Sequence, residues 1–199
     1  MAKDPYTSPD TKGKDDLFDN LDDDECYKII SKRKPGVKHD IYLSESVENN
    51  FAYVDLLDML RNVSPHDSVT LYLANYGGQC STGFQIVNAM KECKSGVDVI
   101  VDAPSYSMAA IIALSGKSLK LNPGTFLMFH NYSGDDSGKG REKLDATMHY
   151  YDNFHTHLTR ICKPFLNKQE LDILKHDKDI YINESDSDLE QRIKRHFKK

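Results

Sequence analysis

The chain has few cysteines, and none is placed to bind metal or pair locally. Cys26, Cys80, Cys93 and Cys162 are spread over 199 residues without a C-x-x-C pair. This spacing predicts free thiols of a reducing cytosol, not a disulfide framework. Neither HExxH nor a Cys/His metal spacing occurs, so no metal site is expected. His155 and His157 lie two apart on a predicted helix and so face different sides of it. The N-terminus has no apolar core of a secretory leader, and no apolar run reaches the length of a membrane span. The P-loop pattern and a full G-x-G-x-x-G are both missing, which removes the common phosphate-cradling loops. These absences predict a cytoplasmic protein that uses no cofactor, no metal and no membrane.

What is present is polar and unevenly charged. Apolar residues make up 39% of the chain and charged ones 29%, with a net charge of -5. That balance argues against nonspecific nucleic-acid binding. Asp15, Asp16, Asp19, Asp22, Asp23, Asp24 and Glu25 form an acidic block, and Arg192, Lys194, Arg195, Lys198 and Lys199 form a basic end. Such blocks read either as solvated tails or as contacts to partner subunits. Residues 1–25 are expected to be a flexible acidic segment. Residues 26–182 form the candidate domain, and residues 183–199 a polar tail with an amphipathic stretch near Leu189 to Phe197.

Between the tails, strand and helix signals alternate. Asp40 to Leu43 predicts a short strand, and Val47 to Leu60 a helix with Phe51, Val54, Leu56, Leu57 and Leu60 on its stripe. Ser68 to Leu73 and Val97 to Val101 are β-rich, and the helix between them starts near Ser81 or Thr82. Short links make this a parallel βαβ unit with a right-handed crossover. Ser107 to Ser115 predicts a short helix, apolar all round and hence buried. Strands follow at Ser118 to Leu121 and Thr125 to Phe129. Three glycines between Ser133 and Gly140 predict a mobile loop. Arg141 to Phe165 is the longest predicted helix, and Lys168 to Lys175 a shorter one.

Four short stretches carry residues suited to acyl transfer. Gly77-Gly78 follows a strand, where positive φ and exposed N–H groups can hold an oxyanion; it is equally an ordinary turn. Ser107 opens the buried helix, either as a nucleophile or as an N-cap contributing about 0.5–2 kcal/mol. His130 ends the run Phe126-Leu127-Met128-Phe129, where it is a candidate base or a structural histidine. Asp179, in Asp179-Ile180-Tyr181, is a candidate orienting carboxylate or a turn residue.

The order of these pieces resembles the proteolytic subunit of the Clp protease, the ClpP family of the ClpP/crotonase-like superfamily. The likeness runs from Ile41 to Tyr181 and rests on Leu71 to Gly78, Tyr106-Ser107-Met108-Ala109-Ala110, Leu127-Met128-Phe129-His130 and Asp179-Ile180-Tyr181. It implies an α/β ClpP/crotonase-like fold of repeated ββα units with a long protruding helix. It also implies a serine endopeptidase with Ser107 as nucleophile, His130 as base, Asp179 as orienting acid, and the N–H groups of Gly78 and Met108 as the oxyanion hole. The partners implied are further copies in stacked rings enclosing a chamber, unfolded polypeptides or peptides as substrate, and an AAA+ unfoldase as candidate docking partner. The chain departs from the family pattern at Asn75-Tyr76, at Ser105-Tyr106, at Asn131-Tyr132 and after the acid, which fits a divergent, phage-type member. The alternatives are an inactive structural subunit of such an assembly, a capsid-maturation protease, a crotonase-like enzyme acting on acyl thioesters, and a Ser-Lys protease of the same superfamily.

Overall fold

The computed structural model describes residues 26–34, 36–133, 139–176 and 178–198. The acidic segment expected over residues 1–25 and the centre of the glycine-rich loop, residues 134–138, lie outside the described residues. Among the described residues, two sheets and six α-helices build a mixed α/β fold.

The first sheet has the order β1-β2-β3-β4-β6. Its strands are β1 (Tyr27–Lys34), β2 (Gly36–Val47), β3 (Ser68–Gly78), β4 (Val97–Val101) and β6 (Ser118–Leu121). β1 and β2 pair antiparallel, and the rest are parallel. The short strand expected at Asp40 to Leu43 is the middle of a twelve-residue strand in a hairpin with β1. The polar sequence of β1, YKIISKRK, hides it because only one edge of it is paired. The helix expected from Val47 starts later: β2 runs to Val47, a 3-10 turn covers Asn50–Tyr53, and α1 spans Val54–Asn62. Asn49 causes the delay, since its side chain caps the turn by accepting from the Phe51 N–H.

α2 (Cys80–Glu92) leaves the end of β3 and returns to β4, the expected crossover. α3 (Met108–Ala113) has all six residues buried, as its unbroken apolar sequence requires. Gly83 lets α2 lie against it: any Cβ there would collide with the Met108 side chain.

The second sheet is β5-β7-β8 and comprises β5 (Ser105–Tyr106), β7 (Phe126–Phe129) and β8 (Ile180–Asn183). β5 runs parallel to β7, and β8 antiparallel. β8 was legible only as a small apolar patch, because four residues are too few to show alternation. α4 (Gly140–Cys162) spans 23 residues, about 35 Å. Its second half carries the buried Phe154, Leu158, Ile161 and Cys162, whereas Leu144 and Met148 in the first half are exposed. α5 (Lys168–Lys175) begins with a capping box between Asn167 and Glu170.

The polar end of the chain is docked on the body. In α6 (Leu189–Phe197), Arg192 is buried and bonds both Glu170 oxygens at 2.8 Å, and it also meets Asp188 at 2.8 Å. His196 Nε2 lies 2.7 Å from the Leu114 carbonyl.

Candidate active site

Strand register brings the four stretches to one place. Tyr106 pairs with Met128 across β5 and β7, and the Ser107 N–H donates to the Met128 carbonyl at 2.8 Å. Phe129 pairs with Ile180 across β7 and β8. The next residues outward, His130 and Asp179, therefore leave the same end of the second sheet. Three strand ends deliver hydroxyl, imidazole and carboxylate to one edge.

Ser107 is held in an unusual backbone state, with φ 56° and ψ -123°. Among the described residues only Glu45, at the register shift between β2 and β3, shares a positive φ without being glycine. Such a conformation costs about 1–3 kcal/mol. It does not serve capping: the side chain makes no cap hydrogen bond to α3. The N-cap alternative for Ser107 therefore has no bond behind it. A sharp strand-to-helix corner of this kind is a geometry that other folds use to expose a nucleophile.

The glycine turn closes on this corner. A Cβ on Gly77 would lie 2.7 Å from Ser107 Cβ and from the Tyr106 carbonyl, and 3.0 Å from Met108 N. Only glycine permits that approach at φ +86°. The turn is locked by Asn75, which is buried. Its Oδ1 accepts from the Gly77 N–H at 2.8 Å and its Nδ2 donates to the Ser44 carbonyl at 3.0 Å. The sequence marked Asn75 only as a departure from the family pattern, although an Asn side chain can hydrogen-bond the backbone two residues on. The Gly77 N–H is thus occupied. Gly78 pairs with Val47, but Val47 accepts from the next residue, Gln79, at 2.8 Å. In a parallel ladder that pattern turns the Gly78 N–H away from β2. The Met108 N–H is a first-turn donor of α3 with no helical acceptor.

His130 is half-buried, and its Nδ1 sits 2.5 Å from the carbonyl of Asn131. A carbonyl can only accept, so Nδ1 is the donor here, which in a neutral imidazole leaves Nε2 as the acceptor. Among the described residues, no hydrogen bond joins His130 to Ser107 or to Asp179. Asp179 is exposed. The structure therefore brings the three groups to one edge without linking them into a relay.

A cavity of about 240 Å³ opens between α2 and α4, lined in part by Cys80, Phe84, Tyr132, Phe154 and His157. It begins two residues past Gly78 and two past His130. Burial raises the Cys80 thiol above its ordinary range, which suits a wall better than a nucleophile. Among the described residues no group of His, Cys, Asp or Glu could hold a metal ion. No described helix is long and apolar enough to cross a membrane.

The Clp protease family model matches residues 23–188. The chain belongs to the Clp protease family. It is 29% identical over 107 residues to "ATP-dependent Clp protease proteolytic subunit 3, chloroplastic" of Arabidopsis thaliana, covering 51% of this chain and 34% of that protein. It is also 29% identical over 150 residues to "ATP-dependent Clp protease proteolytic subunit" of Carsonella ruddii (strain PV), covering 72% of this chain and 75% of that one. The match thus spans about a third of the first relative's length. The mixed α/β architecture, with crossovers over a parallel sheet and a long projecting helix, is consistent with the Clp protease fold.

Proposed function

We propose that this chain is a serine endopeptidase that works through an acyl-enzyme. The observation that carries the reading is the strained, uncapped Ser107 at a strand-to-helix corner. Ser107 Oγ attacks the peptide carbonyl, and His130 Nε2 takes its proton and returns it to the leaving amine. The Nδ1–H bond to the Asn131 carbonyl supports this assignment because it fixes the tautomer that leaves Nε2 as the acceptor. The N–H groups of Gly78 and Met108 hold the oxyanion, each contributing about 3 kcal/mol to the transition state. Asp179 exchanges for the Asn131 carbonyl on Nδ1 when the imidazolium forms, since a carboxylate offsets a charge that a carbonyl offsets less. The aromatic cavity beside the site takes a large apolar side chain next to the scissile bond. The exposed first half of α4 and the printed names of the relatives support work as an oligomer, with further copies of the chain as partners and a Clp-type ATPase as a candidate one.

A second reading, a non-catalytic subunit of such an assembly, is favoured by the missing His130 and Asp179 bonds. A fluorogenic peptide with an aromatic residue before the cleavage point separates the two. The enzyme reading expects turnover by wild type and none by Ser107→Ala. Equal rates for both proteins would overturn it.

A further inference from the structure

Away from the candidate active site, a cavity of about 540 Å³ lies where the end of α4 meets α5 and α6. That size suits a small-molecule ligand. Its walls carry four cations from three segments: Lys163 at the C-cap of α4, Lys168 and Lys175 on α5, and Arg195 on α6. Lys168 and Lys175 are the first and last residues of α5, about two turns apart, and so share a face. Among the described residues, Asp172 is the one carboxylate on the walls. Four cations against one carboxylate leave a local charge of +3, on a chain whose net charge is -5. No ion pair among the described residues takes up any of the four. Asp188, which Arg195 also influences, is already bonded to Arg192, as is Glu170 at the start of α5.

The backbone adds to this field. The capping box uses the N–H groups of Asn167 and Glu170, which leaves those of Lys168 and Gln169 as first-turn donors at the positive end of the α5 dipole. At the end of α4, the carbonyls of Thr159 and Cys162 already accept from the N–H groups of Lys163 and Leu166. Thr159 is a separate sign of a ligand. It lines the cavity, and its hydroxyl is buried with no hydrogen-bond partner among the described residues. A buried hydroxyl is costly until something bonds it. Threonine in a helix has two open χ1 rotamers, so a small rotation can offer its O–H to an anion in the cavity. Clustered cations, free helix N–H groups and an unused hydroxyl all call for a multivalent oxyanion. Pro164 and Leu171 add apolar wall beside them.

We propose that this cavity binds the diphosphate group of a small molecule. Lys163, Lys168, Lys175, Arg195 and the Thr159 hydroxyl hold the phosphates, and the organic part lies against Pro164 and Leu171. A single phosphate group carries a charge of about -1.5 to -2, so two linked ones match the wall better than one. The guanidinium of Arg195 bonds phosphate oxygens in pairs, and the lysines supply point charges around them. The site is independent of the peptidase chemistry. Isothermal titration of the full-length protein with pyrophosphate, in metal-free buffer at fixed ionic strength, tests it. Wild type is expected to bind pyrophosphate saturably and to unfold at a higher temperature in its presence. The double variant Lys168→Gln/Arg195→Gln should bind about tenfold more weakly or worse. Thr159→Val separates a ligand role from a structural one. Loss of an unpartnered buried hydroxyl should leave the free protein at least as stable, yet weaken binding about threefold or more. The double variant alters only exposed side chains, so it keeps the test decisive if Thr159→Val fails to fold. No saturable binding by wild type, citrate bound as tightly as pyrophosphate, or unchanged affinity in either variant would overturn the proposal.

Discussion

Ser107 and Asp179 leave the same end of one small sheet but are held in opposite ways. Ser107 sits where a wholly buried helix, the Gly77 turn and the β7 backbone meet, and its φ of 56° is imposed by those neighbours. Asp179 stands exposed at the start of β8, with no hydrogen bond to His130. Strain persists only where surrounding packing over-determines it. The Ser107 corner is therefore part of the core, whereas Asp179 is an appendage that the fold does not need. At the first, a change to the backbone packing should cost stability and activity together. At the second they should separate.

The largest expected effect is at Ser107 itself, the proposed nucleophile. Ser107→Ala should lower peptide turnover by roughly 10⁴-fold or more while thermal unfolding changes little, because the hydroxyl makes no cap bond. Next is Gly77→Ala, whose Cβ has no room and whose φ is wrong for alanine. It should cost about 2 kcal/mol or more in denaturant unfolding and abolish turnover as well. The contrast comes from Asp179→Asn, expected to reduce kcat/KM by about 10³–10⁴ with an unchanged unfolding midpoint. A large loss of stability there would break the comparison.

Two further effects lie away from the site. Arg192→Ala strips a buried partner from Glu170 and should cost about 3 kcal/mol in denaturant unfolding without changing labelling of Ser107. The smallest effect is a pH limb. The hydrogen bond from Arg192 holds the Asp188 carboxyl below its ordinary 3.8. A depressed carboxylate stabilises the fold above its unfolded value and loses that contribution as pH falls through the folded one. Stability should thus fall slightly faster below about pH 4 in wild type than in Asp188→Asn, as urea midpoints taken across that range will read.

Much of this was legible in the chain. The β3–α2–β4 crossover, buried α3 and the bounds of α5 follow from periodicity and turn residues, which act locally. The triad candidates were readable as letters, but their convergence depends on β5-β7-β8 register, and strands of two and four residues give no periodic signal. The polar hairpin strand β1 and the docking of α6 were hidden for another reason. Each is polar in sequence and is held by partners distant in the chain, α6 most visibly through Arg192 on Glu170. Two things no pattern could show were the backbone state of Ser107 and the Asn131 carbonyl on His130.

The central claim is that Ser107 is an activated nucleophile, and covalent labelling tests it most directly. Purified full-length protein treated with a fluorophosphonate should gain one adduct, mapped to Ser107 by mass spectrometry. Ser107→Ala should gain none and His130→Ala should label far more slowly. Wild type that stays unlabelled in its assembled form, or an adduct that persists in Ser107→Ala, would contradict the account.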